Sequence, residues 1–248
     1  MRNFQNFANQ VVEVCDSTND IAKKLAENNF PHGTWISSLA QSLGRGRLGR
    51  KWQSSEGNLY LSVILRIEKK KLWSWIPLAI AVGVTNCFKD LFPEIPIKIK
   101  WPNDLWVGNA KLGGILCEGS GFQENPFIVA GIGLNCIHSP EDLGRSTTNL
   151  TALRGTLTSP DEIRLPIHRD ILKQIAFLET HGSSKFISLY NHYAYFTLGS
   201  AIEWFSEKTR LIHTGVIHGL GPSGELQVKT PDGELISLLT EEVTVKRL

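Results

Sequence analysis

The last fifty residues constrain this chain most, because they change character. Leu211 to Gly219, Leu226 to Thr230, Glu234 to Leu239 and Val243 to Lys246 read as short strands. Between them lie Gly221-Pro222-Ser223-Gly224 and Pro231-Asp232-Gly233, whose residue types suit tight turns. Such a tail folds as a small all-β barrel or sandwich. Upstream, strands and helices interleave, so the whole is an α+β chain. The change of pattern puts a boundary near Phe196–Leu198 and divides the chain into 1–196 and 197–248.

Within the first part, Val11 to Cys15 is an apolar run that reads as a strand. Ser17-Thr18-Asn19-Asp20 follows as a capping-box-like start to a helix carrying Ile21 and Leu25. Thr34 to Leu39 and Asn58 to Arg66 read as strands on either side of a polar, glycine-rich segment, Gln41 to Gln53. Pro77 suits the first turn of a helix whose apolar face runs through Ile80, Val84, Cys87 and Leu91. Ile95, Ile97 and Ile99 alternate with Pro96, Lys98 and Lys100, which predicts a half-buried strand. Leu112 to Glu118 and Phe127 to Asn135 read as two more strands. Ser159-Pro160 and Pro166 to Thr180 mark helices, with Gly182 just past their end.

Composition narrows the function classes. An apolar share of 42% and a charged share of 20% are ordinary for a globular protein. The net charge of +2 argues for neither nucleic acid nor an anionic membrane as the main partner. No stretch approaches the roughly 20 apolar residues of a membrane helix, and Met1 to Gln10 lacks the apolar core of a secretory signal. Cys15, Cys87, Cys117 and Cys136 are widely spaced; they read as small buried thiols of a reducing compartment, which makes a cytoplasmic location the expectation.

Two segments carry chemistry. Gln41-Ser42-Leu43-Gly44-Arg45-Gly46-Arg47-Leu48-Gly49-Arg50-Lys51-Trp52 holds four positive charges and no acid. Its glycines let backbone N–H groups approach a ligand. Its arginines suit a phosphate or carboxylate, and Trp52 could stack on a flat ring. A solvated basic loop or a disordered nucleic-acid tail is the competing reading; the flanking strands and the closing tryptophan favour a structured anion site. The pattern is no Walker A loop, since no Gly-Lys-Ser/Thr follows at the required spacing. It is no dinucleotide fingerprint either, since a strand follows where a helix is required.

The second segment is Lys100-Trp101-Pro102-Asn103-Asp104-Leu105-Trp106-Val107-Gly108-Asn109-Ala110-Lys111-Leu112-Gly113-Gly114. Gly108-Asn109 predicts a two-residue hairpin turn. That register sets Val107 opposite Ala110, Trp106 opposite Lys111 and Asp104 opposite Gly113, with Asp104 and Lys111 on one face. Taken alone this is a surface ion pair; the surrounding density of tryptophan, amide and glycine residues points to a ligand instead. Two weaker signals accompany it. Ser17-Thr18-Asn19 is a helix cap by position, though it can also bind a polar ligand head. The glycines of Gly131-Ile132-Gly133-Leu134-Asn135 suggest a bulge or tight packing.

Taken together, Gly44 to Trp52, Lys100 to Asp104 with Lys111, and the ordered Ser17-Thr18-Asn19, Gln41 and Gly131 to Asn135 resemble the biotin–protein ligase family. The resemblance runs from about Val12 to Asn135. It implies a mixed central sheet flanked by helices, followed by an SH3-like C-terminal β-barrel. It implies ATP-dependent formation of biotinyl-5′-AMP and transfer of biotin to a lysine of a biotin carboxyl carrier domain, with Mg²⁺ accompanying ATP. By resemblance Ser17, Thr18, Asn19, Gln41, Gly44, Arg45, Gly46, Arg47, Lys111, Gly114 and Leu116 bind biotin. Arg45, Arg47, Arg50, Trp52, Asn103, Lys111 and Asn135 bind ATP and the adenylate, and Lys111, Arg47 and Asp104 are catalytic. Some family members carry a DNA-binding domain ahead of the catalytic one. Sixteen residues precede Ser17, which leads to the expectation of a ligase without that domain and without nucleic-acid or membrane partners. Exposed sheet edges could support a homodimer.

Overall fold

The computed structural model describes residues 8–120, 125–141, 144, 146–206, 209–239 and 243–245. Its centre is a seven-stranded sheet. In chain order the strands are β1 (Gln10–Cys15), β2 (Trp35–Gln41), β3 (Leu59–Leu65), β4 (Lys98–Lys100), β5 (Asp104–Val107), β6 (Ala110–Ser120) and β7 (Phe127–Leu134). They lie side by side as β1-β2-β3-β7-β6-β5-β4. Only β1 and β2 run parallel; every other neighbouring pair is antiparallel.

The strand period of two sorts side chains onto two faces. Leu59, Leu61, Val63 and Leu65 of β3 join Ile128, Ala130, Ile132 and Leu134 of β7 in the main core. That face is covered by α2 (Ile76–Leu91) and α4 (Pro160–Tyr193). The two helices approach closely at Gly83, where a Cβ would stand 2.8 Å from Ile171 Cα. On the opposite face, α1 (Thr18–Glu27) packs Ala22, Leu25 and Ala26 onto Ile36, Ile64, Phe127 and Val129. Covering both faces buries every residue of β3, and such a strand reads as a continuous apolar run. α1 covers only one end of its face, and the remainder is open. A short α3 (Leu150–Arg154) follows the sheet, with Asn149 accepting from the Ala152 N–H as its cap.

The tail forms a second, five-stranded antiparallel sheet. Its strands are β8 (Ala201–Ser206), β9 (Leu211–Leu220), β10 (Leu226–Lys229), β11 (Leu235–Leu238) and β12 (Val243–Val245), ordered β11-β10-β9-β8-β12. This is the small β unit expected of the tail; Lys246, placed in its last strand by the sequence pattern, lies outside the described residues. Its Trp204, Ile217, Leu226 and Val228 belong to the same apolar cluster as α2 and α4. Two indoles reach across: Trp75 Nε1 donates to the Pro222 carbonyl at 3.1 Å and Trp101 Nε1 to the Gly224 carbonyl at 3.0 Å.

Four local expectations change. The hairpin at Gly108-Asn109 keeps Val107 opposite Ala110 and Trp106 opposite Lys111, but a bulge before Trp106 sets Asp104 opposite Gly114 and Leu105 opposite Gly113. Only Lys98–Lys100 of the isoleucine alternation pairs as a strand, although Ile95, Ile97 and Ile99 are all buried. α4 runs unbroken through Pro166, and its chain turns only at Gly182 (φ 75°, ψ 176°) before eleven further residues to Tyr193. The Ser17 side chain makes no capping bond to α1.

Candidate active site

The uncovered end of the α1 face is the floor of a cleft of about 760 Å³, within the range of small-ligand sites. Tyr60 of β3, Gly131 and Gly133 of β7, and Gly114 and Leu116 of β6 all project from this face, as their register requires. The absent side chains matter. A Cβ on Gly131 would stand 2.4 Å from Asn19 Oδ1, and one on Gly133 would stand 2.7 Å from the Trp52 ring. The glycine pair is thus tight packing, which lets an amide and an indole lie flat on the sheet.

The first wall is the N-terminus of α1, where Ser17, Thr18 and Asn19 are buried. Thr18 donates from its backbone N–H to Gln41 Oε1 at 2.8 Å, and its hydroxyl donates to the same oxygen at 3.2 Å. Gln41 Nε2 in turn donates to Ser54 Oγ at 2.9 Å. Asn19 Nδ2 donates to Glu118 Oε2 at 2.6 Å, while Ser62 Oγ lies 2.6 Å from Asn19 Oδ1 and 2.7 Å from Thr18 Oγ1. These side chains bind one another in place of the helix cap that their sequence position suggested.

The second wall is the Gly44–Trp52 loop, which folds back as a small hairpin. Trp52 N–H donates to the Gly44 carbonyl at 2.9 Å and Gly46 N–H to the Arg50 carbonyl at 2.7 Å. At its tip Leu48 adopts φ 55° and is 76% exposed. Arg45 faces Asp20, with Nη2 2.6 Å and Nη1 2.9 Å from the two carboxylate oxygens. This hydrogen bonding from Arg45 holds the Asp20 carboxyl below the usual carboxylate range. Arg47 Nη1 donates to Asn103 Oδ1 at 3.1 Å, and Asn103 Nδ2 to the Ile115 carbonyl at 2.6 Å.

The third wall is the Lys100–Lys111 segment. Lys111 Nζ lies 2.5 Å from Asp104 Oδ1, with the two side chains 8% and 18% exposed. A pair so sheltered from water interacts strongly and depends on each partner. Lys111 also stands 5.3 Å from the Trp52 ring centroid, and Lys100 stands 4.2 Å from that of Trp106, both within cation–π reach. Val243 of the small sheet completes the lining. Burial raises the Tyr60 phenol well above its ordinary value, so it stays protonated and donates to the Ser55 carbonyl at 2.7 Å.

Most of the residues singled out from sequence therefore meet around one cleft, and two do not line it. Gly44 packs in the hairpin stem, where a Cβ would meet Ser54 Oγ at 2.4 Å. Asn135 is buried just past the end of β7, donating from Nδ2 to the Thr148 carbonyl at 3.0 Å. Sequence reasoning passed over Tyr60 and Glu118, and it gave no individual role to Lys100 and Trp106 of the second segment. For Tyr60 the signal was present, since β3 parity sets it and Ser62 against Leu59 and Leu61. Among the described residues no cluster of three or more His, Cys, Asp or Glu could hold a metal, and no helix is long and apolar enough to cross a membrane.

A glycine floor, an arginine hairpin and a sheltered lysine–aspartate pair make a cleft suited to an anionic ligand. Residues 11–135 match the biotin/lipoate A/B protein ligase family, and the chain belongs to it. The resemblance drawn from the two motifs is thus borne out, and its relatives are biotin–protein ligases. It is 30% identical over 229 residues to the bifunctional ligase/repressor BirA of Bacillus subtilis, spanning 89% of this chain and 69% of that protein. It is 31% identical over 245 residues to the chloroplastic biotin–protein ligase 1 of Arabidopsis thaliana, spanning 90% and 62%. The biotin protein ligase of Aquifex aeolicus, solved in complex with biotin and ATP, superposes with a TM-score of 0.81 at 27% identity, covering 96% of this chain and 98% of that one.

Proposed function

We propose that this ligase adenylates biotin with ATP and passes the biotinyl group to a lysine of a biotin carboxyl carrier domain. The observation that carries the reading is the sheltered Lys111–Asp104 pair, within cation–π reach of Trp52 in a cleft where Arg47 of the hairpin meets Asn103. The first half-reaction is attack by the biotin carboxylate on the ATP α-phosphate, with pyrophosphate leaving. Negative charge gathers where the two anions meet, and fixed cations in a sheltered site stabilise it most. Lys111 is the cation placed to bridge carboxylate and α-phosphate. Arg47 closes over them from the hairpin, and Arg50 assists the leaving pyrophosphate.

Thr18, Asn19 and Gln41, with Ser17 beside them, offer the donors and acceptors a ureido ring needs, and the Gly114 and Leu116 backbone lies below. Trp52 and Asn103 flank the place for the nucleotide. Asn135, at the end of β7, supports this nucleotide end without lining the cleft. Asp104 orients or deprotonates the acceptor amine, which must be neutral to attack the acyl carbon of the mixed anhydride and expel AMP. Mg²⁺ enters with the triphosphate as substrate Mg·ATP. The nearest carboxylate, Asp104, is occupied by Lys111, so the described residues build no resident cage for the ion.

A lipoate or octanoate ligase is the rival that shares this family. Incubating the protein with biotin and Mg·ATP without acceptor should yield biotinyl-5′-AMP by mass spectrometry, with no adenylate from lipoate or octanoate. Adenylate from lipoate alone would reassign the substrate. Biotin binding without formation of biotinyl-5′-AMP would make the chain a ligand-binding regulator. The same sample, supplied with a carrier domain, should transfer biotin to one lysine.

A further inference from the structure

Arg45 sits in a loop whose cations the proposed reaction needs, yet its guanidinium is already engaged. Asp20, in the first turn of α1, takes one edge of the fork in two-point contact at 2.6 and 2.9 Å. A second carboxylate, Glu118, lies 3.8 Å from the same Nη2. An anion approaching Arg45 would meet both acids. The backbone places Arg45 in the stem of the hairpin, where it bridges Lys51, while Arg47, at the start of the tip, reaches toward Asn103. The hairpin's entry is tied to the same helix end a second time, through Gln41 and Thr18.

We propose that Asp20 is a positioning residue. It holds Arg45 as a strut that pins the hairpin stem to α1, so that Arg45 acts on the loop rather than on the ligand's anion. The inference rests on the biotin-ligase reading for its catalytic consequences, but not for its structural one. A pinned stem keeps Arg47 and Trp52 over the cleft. Two-point arginine–carboxylate contact is the geometry in which a partly exposed pair has a measurable effect. Its partial exposure also makes it sensitive to salt.

The test compares Asp20→Asn, Arg45→Met, the double variant and Asp20→Glu. The strut predicts that Asp20→Asn and Arg45→Met each raise the KM for biotin and the rate of biotinyl-AMP escape by about two- to fivefold. The saturated rate of adenylation should stay unchanged in Asp20→Asn. The double variant should be no worse than either single, and Asp20→Glu should restore part of the effect. Raising salt should speed escape from the wild type but not from Asp20→Asn. If Arg45 instead contacts the ligand, Asp20→Asn uncovers it and slows escape while Arg45→Met alone speeds it; that pattern overturns the proposal. A second readout needs no biotin chemistry. Limited trypsin cleavage after Arg47, Arg50 or Lys51 in the ligand-free protein should be faster in Asp20→Asn and Arg45→Met. Cleavage at the wild-type rate overturns the strut even if the protein makes no biotinyl-AMP at all, an outcome that would count against the ligase reading separately.

Discussion

Lys111 concentrates the residue-scale chemistry, because its ammonium is the sheltered cation of the cleft and its partner is nearly as sheltered. Lys111→Met should lower pyrophosphate release by at least about a hundredfold, the usual cost of removing a charge that acts on the transition state. The fold should survive by circular dichroism. A sealed pair would forfeit about 3–5 kcal/mol when broken; Asp104 keeps some access to water, so the loss should be smaller. Near-normal turnover would remove Lys111 from the mechanism. Arg47 differs, because its hydrogen bond runs to Asn103 across the cleft mouth. Arg47→Gly opens that bridge. The reactive adenylate should then escape and label lysines of bystander proteins, which a streptavidin blot reads directly; unchanged retention would refute the closing role.

At the scale of elements, the floor is set by strand parity. Gly131 and Gly133 share a face with Val129, so that β7 face is core at one end and bare backbone at the other. Gly131→Ala should displace Asn19 from its place beside Ser62, since the added carbon would stand 2.4 Å from Asn19 Oδ1. The expected result is a raised KM for biotin, with thermal stability lowered by about 1–3 kcal/mol; an unaltered KM would mean the amide has no part in ligand capture. Much of this layer was legible in the sequence. Strand alternation, the Gly108-Asn109 turn and the glycine-rich loop between two strands placed most of the cleft residues. The bulge before Trp106 was not legible, because the two turn residues fix the register only up to Trp106–Lys111 and carry nothing of the shift beyond it. Nor was the engagement of Arg45 by Asp20, twenty-five residues away. The capping role expected of Ser17 failed for a related reason. Gln41 and Ser62, distant in sequence, engage the same helix end through Thr18 and Asn19.

Taken whole, the molecule has two sheets and one main apolar core spanning both. Trp75, Leu78 and Phe186 share a cluster with Trp204, Leu226 and Val228. Thermal unfolding should therefore be a single cooperative transition, followed by tryptophan fluorescence and by far-ultraviolet circular dichroism. Two separated transitions would show that the units, divided near Phe196–Leu198 on the sequence pattern, are energetically independent. The indole bridges carry a consequence for inheritance. Trp101 lies in the Lys100–Asp104 segment beside the cleft, yet its N–H is satisfied by the Gly224 carbonyl of the small sheet. A tail taken from a distant relative by recombination would have to bring a carbonyl to the same point, or leave a buried donor stranded next to the chemistry. The C-terminal fifty residues are thus poor currency for shuffling: they can diverge in sequence, but only in step with the two tryptophans they receive.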